Sequence, residues 1–330
     1  MIKVHCFVSC VCEAVKKKEG ADHRPYYFGV WDADFDVLEN GVLTYHSERI
    51  DHDFFHQWYE MLYGIKLHRW YNEQKSKQEN IEEMLRLLEH KTSDQYVMVM
   101  LDLSKLPERE NKFHQSPFPH YVMLEKTENE EEWMMYDPDF RWEGVLPKDR
   151  ILAAIEDPSA KGGYFFDAST LIVPSAETVE AYFNTCIKHS SNPMTEAIGK
   201  IIDLHSAGDE KYPLSALTLA LRELPVLAIR KYAYEHAFAF FWKALRYDED
   251  SFEAWCDDIE RLVKGYTAIQ YRAMKLAMTG NMLLKDEITA KLEEQNLLEF
   301  KIKRGLQESF EAWLKQEQPQ QHMNMKEAIL

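Results

Sequence analysis

His5-Cys6-Phe7-Val8-Ser9-Cys10-Val11-Cys12-Glu13-Ala14-Val15 opens the chain with a helical pattern. Phe7, Val11 and Val15 recur at i, i+4 and i+8 with Val8 and Cys12 beside them, one apolar stripe for a core. Cys6 falls off that stripe, in the first turn. There, unpaired backbone N–H groups and the positive end of the helix dipole favour a thiolate over a thiol. Cys6 is therefore a candidate nucleophile. The plain alternative is a buried small hydrophobe, the usual state of a free cysteine.

The rest of the chain supplies what this helix packs on. Asp22-His23-Arg24-Pro25 marks a turn, after which Tyr26–Gly29 and Val30–Val37 read as extended, with Asp32, Asp34 and Asp36 at period two on one face. Asn40-Gly41 is a hairpin signal, with Val42–His46 returning. Asp53–Tyr63 and Gln78–His90 read as helices, the second with Ile81, Met84, Leu85 and Leu88 on one face. Tyr96–Leu103 is an apolar run of strand length, expected at the centre of a sheet. His120–Lys126 and Glu132–Tyr136 follow as strands joined by the acidic turn Glu128–Glu131, and Tyr164–Ile172 reads as another strand behind Gly162-Gly163.

These signals predict an α+β domain with an antiparallel sheet over residues 1–173. From residue 174 to 330 the pattern is helical: Glu177–His189, Met194–His205, Leu214–Leu221, Pro225–Tyr247, Ser251–Thr279 and Leu283–Lys315. Pro193, Pro213, Pro225 and Gly280 stand where helix breaks are expected. The polar Gln316–Gln321 stretch is expected to fray. This half reads as an all-α domain covering one side of a cleft.

At 45% hydrophobic and 29% charged residues, the 330-residue chain has the composition of an ordinary globular protein. A net charge of -17 argues against nucleic acid as a partner, since phosphate contacts need clustered Lys and Arg, and suits a cationic small substrate. Five cysteines, an odd number with three crowded near the start, do not make the paired framework of a secreted protein. Met1–Val15 lacks a signal-peptide n-region, and no apolar run reaches the length of a membrane span. The expectation is a cytoplasmic protein without a membrane partner.

A cysteine nucleophile needs a base for its proton, and the base needs a group that fixes its tautomer. His120 opens one strand and Asp137 closes the strand returning beside it, so the intervening turn brings both to one edge. Cys6, His120 and Asp137 therefore form a candidate Cys-His-Asp set. Taken singly, His120 also fits a plain edge-strand histidine and Asp137-Pro138 a plain turn.

The nucleophile-led helix, Pro119-His120-Tyr121-Val122-Met123-Leu124 and Met135-Tyr136-Asp137-Pro138 together resemble the papain-like fold of C39-type domains. The opening His-Cys pair, Phe28-Gly29-Val30 and the helical second half are similar to N-acyltransferases typified by the butirosin biosynthesis protein. In length, layout and opening sequence the whole chain resembles the petrobactin biosynthesis protein AsbE family. The resemblance implies transfer of a 3,4-dihydroxybenzoyl group from an aryl carrier protein, held there as a phosphopantetheine thioester, to the polyamine spermidine. Cys6 would accept the acyl group, His120 would act as base and Asp137 as its orienter. Papain-like peptidases place a glutamine before the cysteine, and none precedes Cys6, so first-turn N–H groups must serve the oxyanion.

No Gly-rich phosphate loop is present, which fits a thioester donor that needs no ATP and no cofactor on the enzyme. For the polyamine, Asp32, Asp34 and Asp36 are the candidate carboxylates, against the simpler reading of a solvated strand edge. For the aryl ring, Tyr26, Trp31 and Trp142 are candidates, and for the acidic carrier Lys16, Lys17 and Arg24. Two other readings are a papain-like peptidase, sharing the triad, and a metal site on Cys6, Cys10 and Cys12 with His5. The C-x-x-x-C-x-C spacing matches neither a paired C-x-x-C zinc site nor a radical-enzyme cluster motif, so no metal ligands are assigned.

Overall fold

The computed structural model describes residues 5–47, 49–51, 53–110, 112 and 117–327, with side chains described as far as 317. Helix α1 spans Cys6–Lys16. It is buried on nearly every side, from Phe7 through Cys12 and again at Ala14 and Val15, not along one stripe. The reason is that it has neighbours on two flanks. On one, the Cys10 thiol donates to the Tyr121 carbonyl at 3.4 Å; on the other, the Tyr59 hydroxyl donates to the Val11 carbonyl at 2.8 Å.

The segment expected to be extended departs from that reading. Arg24–Gly29 winds into a 3-10 helix led by Pro25, and only Asp36–Val37 (β1) is strand, paired antiparallel with Leu43–Thr44 (β2). Gly41 at φ +78° makes the hairpin turn, the left-handed conformation that favours glycine. The period-two face of Asp32, Asp34 and Asp36 therefore does not exist as such.

α2 (Asp53–Tyr63), β3 (His68–Arg69) and α3 (Lys77–His90) follow. Ser76 and Glu79 close a reciprocal capping box at the start of α3, which fixes where that helix begins. Next come β4 (Gln95–Asp102), β5 (Pro119–Lys126), β6 (Glu132–Asp137), β7 (Trp142–Pro147), α4 (Lys148–Glu156) and β8 (Gly163–Asp167). β7 and α4 were not anticipated from sequence, and β8 ends before the expected Ile172. Strands β3 to β8 make one antiparallel sheet in the order β3-β8-β4-β5-β6-β7, with β4 interior as its apolar run requires. Val97, Val99 and Leu101 of β4, Val122 and Leu124 of β5 and Met135 of β6 join Ile81, Met84 and Leu88 of α3 and Ile151 and Ala154 of α4 in one core cluster. Each of these side chains but Ala154 contributes about 1.5–3 kcal/mol by burial.

The second half is helical: α5 (Ala176–Cys186), α6 (Pro193–Ser206), α7 (Leu217–Ala220), α8 (Leu224–Ile229), α9 (Ala233–Leu245), α10 (Glu249–Thr279) and α11 (Leu283–Glu327). The single helix expected over 225–247 is interrupted by a 3-10 turn at Arg230–Tyr232 that sends Lys231 inward. α10 ends on Gly280 at φ +66°, whose N–H caps the Leu276 carbonyl at 2.9 Å. α11 continues through the stretch expected to fray. Two compact units result, Ile2–Tyr26 with Asp53–Pro174, and Tyr27–His52 with Ser175–Leu330. The α+β class, antiparallel sheet first and helices after, is thus the one adopted. Among the described residues no helix is long and apolar enough to cross a membrane.

Candidate active site

Cys6 is the first residue of α1. Its N–H and those of Phe7 and Val8 precede the first intrahelical bond, which runs from Ser9 N to the His5 carbonyl at 2.9 Å. His5 is the N-cap residue, and its side chain makes no cap hydrogen bond to the helix. The cap comes instead from Asp139, whose Oδ1 accepts from His5 N at 3.1 Å and from Ser9 Oγ at 2.9 Å. Asp139→Ala removes the one acceptor of both bonds, and a loss of about 1 kcal/mol is expected in urea unfolding, the usual worth of an N-terminal cap.

β5 carries His120 to this helix end, and the β5–β6 hairpin returns Asp137 beside it. His120 Nε2 meets Asp137 Oδ1 at 2.9 Å, and Cys6 lies close enough to act on the imidazole electrostatically. His120 is 4% exposed and Asp137 0%. Burial alone would discharge the imidazole; the neighbouring Cys6 sulfur, then the bond to Asp137, outweigh it and push His120 up to about 10. The arrangement is a cysteine at a helix start beside an imidazole held by a carboxylate, able to attack a carbonyl and to hand a proton to a leaving group. Phe140 packs edge-on to the His120 ring at 4.9 Å.

Two models of one family match the chain, the DUF6005 N-terminal domain over residues 1–171 and the DUF6005 C-terminal domain over residues 177–327. The chain belongs to the DUF6005 family. It is 49% identical over 312 residues to the protein named petrobactin synthase of Bacillus anthracis, across 94% of this chain and 95% of that relative.

One residue of this DUF6005 site had no signal in the sequence. Arg109, 6% exposed, donates from Nη2 to Asp137 Oδ2 at 2.7 Å. It sits in an ordinary polar stretch, Pro107-Glu108-Arg109-Glu110, and only the tertiary fold brings it to Asp137. Asp139 was equally illegible, because an Asp in the β6–β7 turn is expected for turn formation alone.

The other sequence candidates are dispersed. Asp32 has a side chain 3% exposed, and its two oxygens accept from Lys231 Nζ and Lys303 Nζ, each at 2.7 Å. Asp36 pairs with Arg49 at 2.8 Å, and Asp34, 63% exposed, lies 4.0 Å from Lys188. Tyr26 is buried with its hydroxyl on the Phe55 carbonyl at 2.7 Å, and Trp31 is buried and stacked on Tyr234 at 5.0 Å. Both are core residues. Trp142 does lie near the triad, but its ring backs the Arg109 guanidinium at 4.7 Å. Lys16 and Lys17 are exposed, the first paired with Glu13 at 2.7 Å and the second over the Tyr96 ring at 5.0 Å. Arg24 is folded onto Asp22, its Nε donating at 2.8 Å.

Cys10 and Cys12 do not face Cys6 as co-ligands would. Cys12 donates to the His23 carbonyl at 3.7 Å, and burial, then the Cys6 charge, pushes the Cys10 thiol well up. Among the described residues no group of three or more His, Cys, Asp or Glu side chains converges as a metal site requires.

Proposed function

We propose that this protein is an N-acyltransferase of siderophore assembly that moves a 3,4-dihydroxybenzoyl group from the phosphopantetheine thioester of an aryl carrier protein to spermidine, by way of a Cys6 acyl-enzyme. The observation that carries the reading is the Cys6–His120–Asp137 chain, with Cys6 at a helix start and Asp137 2.9 Å from the imidazole. A nucleophile helix packed on an antiparallel sheet that bears the histidine is also the arrangement of papain-like enzymes. The name of the 49% identical relative supports petrobactin as the product of the pathway.

In the first half-reaction the Cys6 thiolate attacks the thioester carbonyl, and the oxyanion draws on the α1 first-turn N–H groups and helix dipole. Collapse expels the phosphopantetheine thiolate, which takes the proton from the His120 imidazolium. Neutral His120 then accepts a proton from the attacking amine as the C–N bond forms, and the Cys6 thiolate departs beside the restored imidazolium. One thioester is exchanged for another and then for an amide, so no nucleotide is consumed.

Intact-protein mass after incubation with a 3,4-dihydroxybenzoyl-loaded carrier tests this. The natural chain is expected to gain one dihydroxybenzoyl group, Cys6→Ala none, and spermidine should discharge the adduct as an amide. Equal product from both proteins without an adduct would mean direct attack on the carrier thioester and would sink the covalent route.

A further inference from the structure

We propose that Arg109 is a positioning residue of the acyl-transfer site: by holding Asp137 Oδ2 it fixes Oδ1 on His120 and so keeps the imidazole turned to Cys6. This rests on the Cys6–His120–Asp137 reading above.

The geometry leaves Asp137 little choice of its own. Its Oδ1 accepts from His120 Nε2 at 2.9 Å and from Phe140 N at 3.2 Å, and its Oδ2 accepts from Arg109 Nη2 at 2.7 Å. With the side chain 0% exposed, water does not replace a lost partner. Without Arg109, Oδ2 is a buried, unsatisfied carboxylate oxygen, which must turn toward another donor or take a proton. Either change removes the charge-assisted bond to the imidazolium. Arg109 is held in turn by the rings of Phe140 at 5.2 Å and Trp142 at 4.7 Å. A planar guanidinium suits such a slot and an ammonium does not, because only the former stacks while donating in its plane. The end of β6 and the turn after it thus supply the orienter Asp137, the helix cap Asp139 and the ring of Phe140 within four residues, and Arg109 reaches in from the stretch before β5 to lock them.

Among the described residues, the titratable and charged groups around the site are Cys6 of α1, Asp137 of β6, Asp139 of the following turn, Arg109, and Lys112, whose Nζ lies over the Phe118 and Phe140 rings at 4.4 and 5.3 Å. They give the test a sign. Loss of a nearby cation by itself raises the proton affinity of the Asp137–His120 unit, whereas loss of the Asp137 bond lowers it.

The experiment is inactivation of the full chain by iodoacetate across pH 6 to 11, followed by intact mass with Cys6→Ala as background. The anionic reagent is drawn by the imidazolium, so labelling of the natural chain should fall as pH rises through about 10. In Arg109→Gln that fall is expected about one pH unit lower, the scale of one charge-assisted hydrogen bond. Arg109→Lys should shift it in the same direction by less, and both variants should lower kcat for aryl transfer with little change in KM. A fall at the natural pH in either folded variant, or at higher pH, overturns the proposal. Should Arg109→Gln not fold, Arg109→Lys alone decides by the same criterion. A natural chain with no Cys6 labelling, or no fall with pH, overturns the Cys6–His120 pair itself; a normal natural profile with unmoved variants overturns only the role of Arg109.

Discussion

His120→Gln is expected to slow aryl transfer by about 10²- to 10⁴-fold, the range for loss of a positioned acid–base group, while the protein remains folded. The loss should be largest in kcat, because in the proposed mechanism His120 moves the proton in both half-reactions. The same variant carries a pH signature. His120 stands at about 10 against an ordinary 6.5, so its contribution to stability is fully present below the unfolded value and is lost as pH rises through the folded one. The stability advantage of the natural chain over His120→Gln should therefore shrink between pH 6.5 and 10, measured as urea midpoints at each pH. An advantage that grows over that window would mean the imidazole is neutral in the folded protein, and its raised proton affinity would go with it.

The second large effect lies in the helical unit. Lys231, 1% exposed, donates to Asp32 at 2.7 Å and Glu299 at 2.5 Å; Lys303 donates to the other Asp32 oxygen at 2.7 Å. Tyr234 and Tyr266 hydroxyls donate to Glu299 at 3.0 and 2.8 Å. Burial opposes every charge in the group. Even so, Lys231 is raised by its two carboxylates and Asp32 is lowered by its two ammoniums, whereas Lys303, which faces one carboxylate closely and otherwise bonds to carbonyls, is lowered. Lys231→Met leaves two carboxylates against one ammonium, and a loss of about 3–5 kcal/mol is expected. Lys231→Met with Glu299→Gln restores neutrality and keeps an acceptor for the tyrosines, so it should recover much of that loss. Chemical unfolding of the three proteins measures it. A double variant no better than the single would show that packing, not charge balance, sets the cost.

This cluster also shows why composition misled about Asp32. An acidic residue in a chain of net charge -17 looks like a solvated or substrate-binding carboxylate. Its actual partners lie 199 and 271 residues away in sequence, and no local pattern reports them. Tyr26 and Trp31 are core residues for a related reason: an aromatic in a turn-rich stretch looks available, but the 3-10 helix at Arg24–Gly29 buries Tyr26 and Tyr234 stacks on Trp31.

Local periodicity and turn chemistry were sufficient for α1, α2, α3, the interior strand β4 and the β5–β6 hairpin, because each is fixed by residues near one another in the chain. That hairpin is why His120 and Asp137 could be paired on paper: two strands about a tight turn carry their ends together. The sequence by itself thus determined the α+β class and the helical second half, and it nominated the three residues of the candidate triad. Only the tertiary structure decided that Arg109 holds Asp137, that Asp139 caps the nucleophile helix and that Asp32 is sealed between two lysines. Those are contacts between groups distant in the chain, made where burial leaves a charge no solvent and so compels it to find a partner.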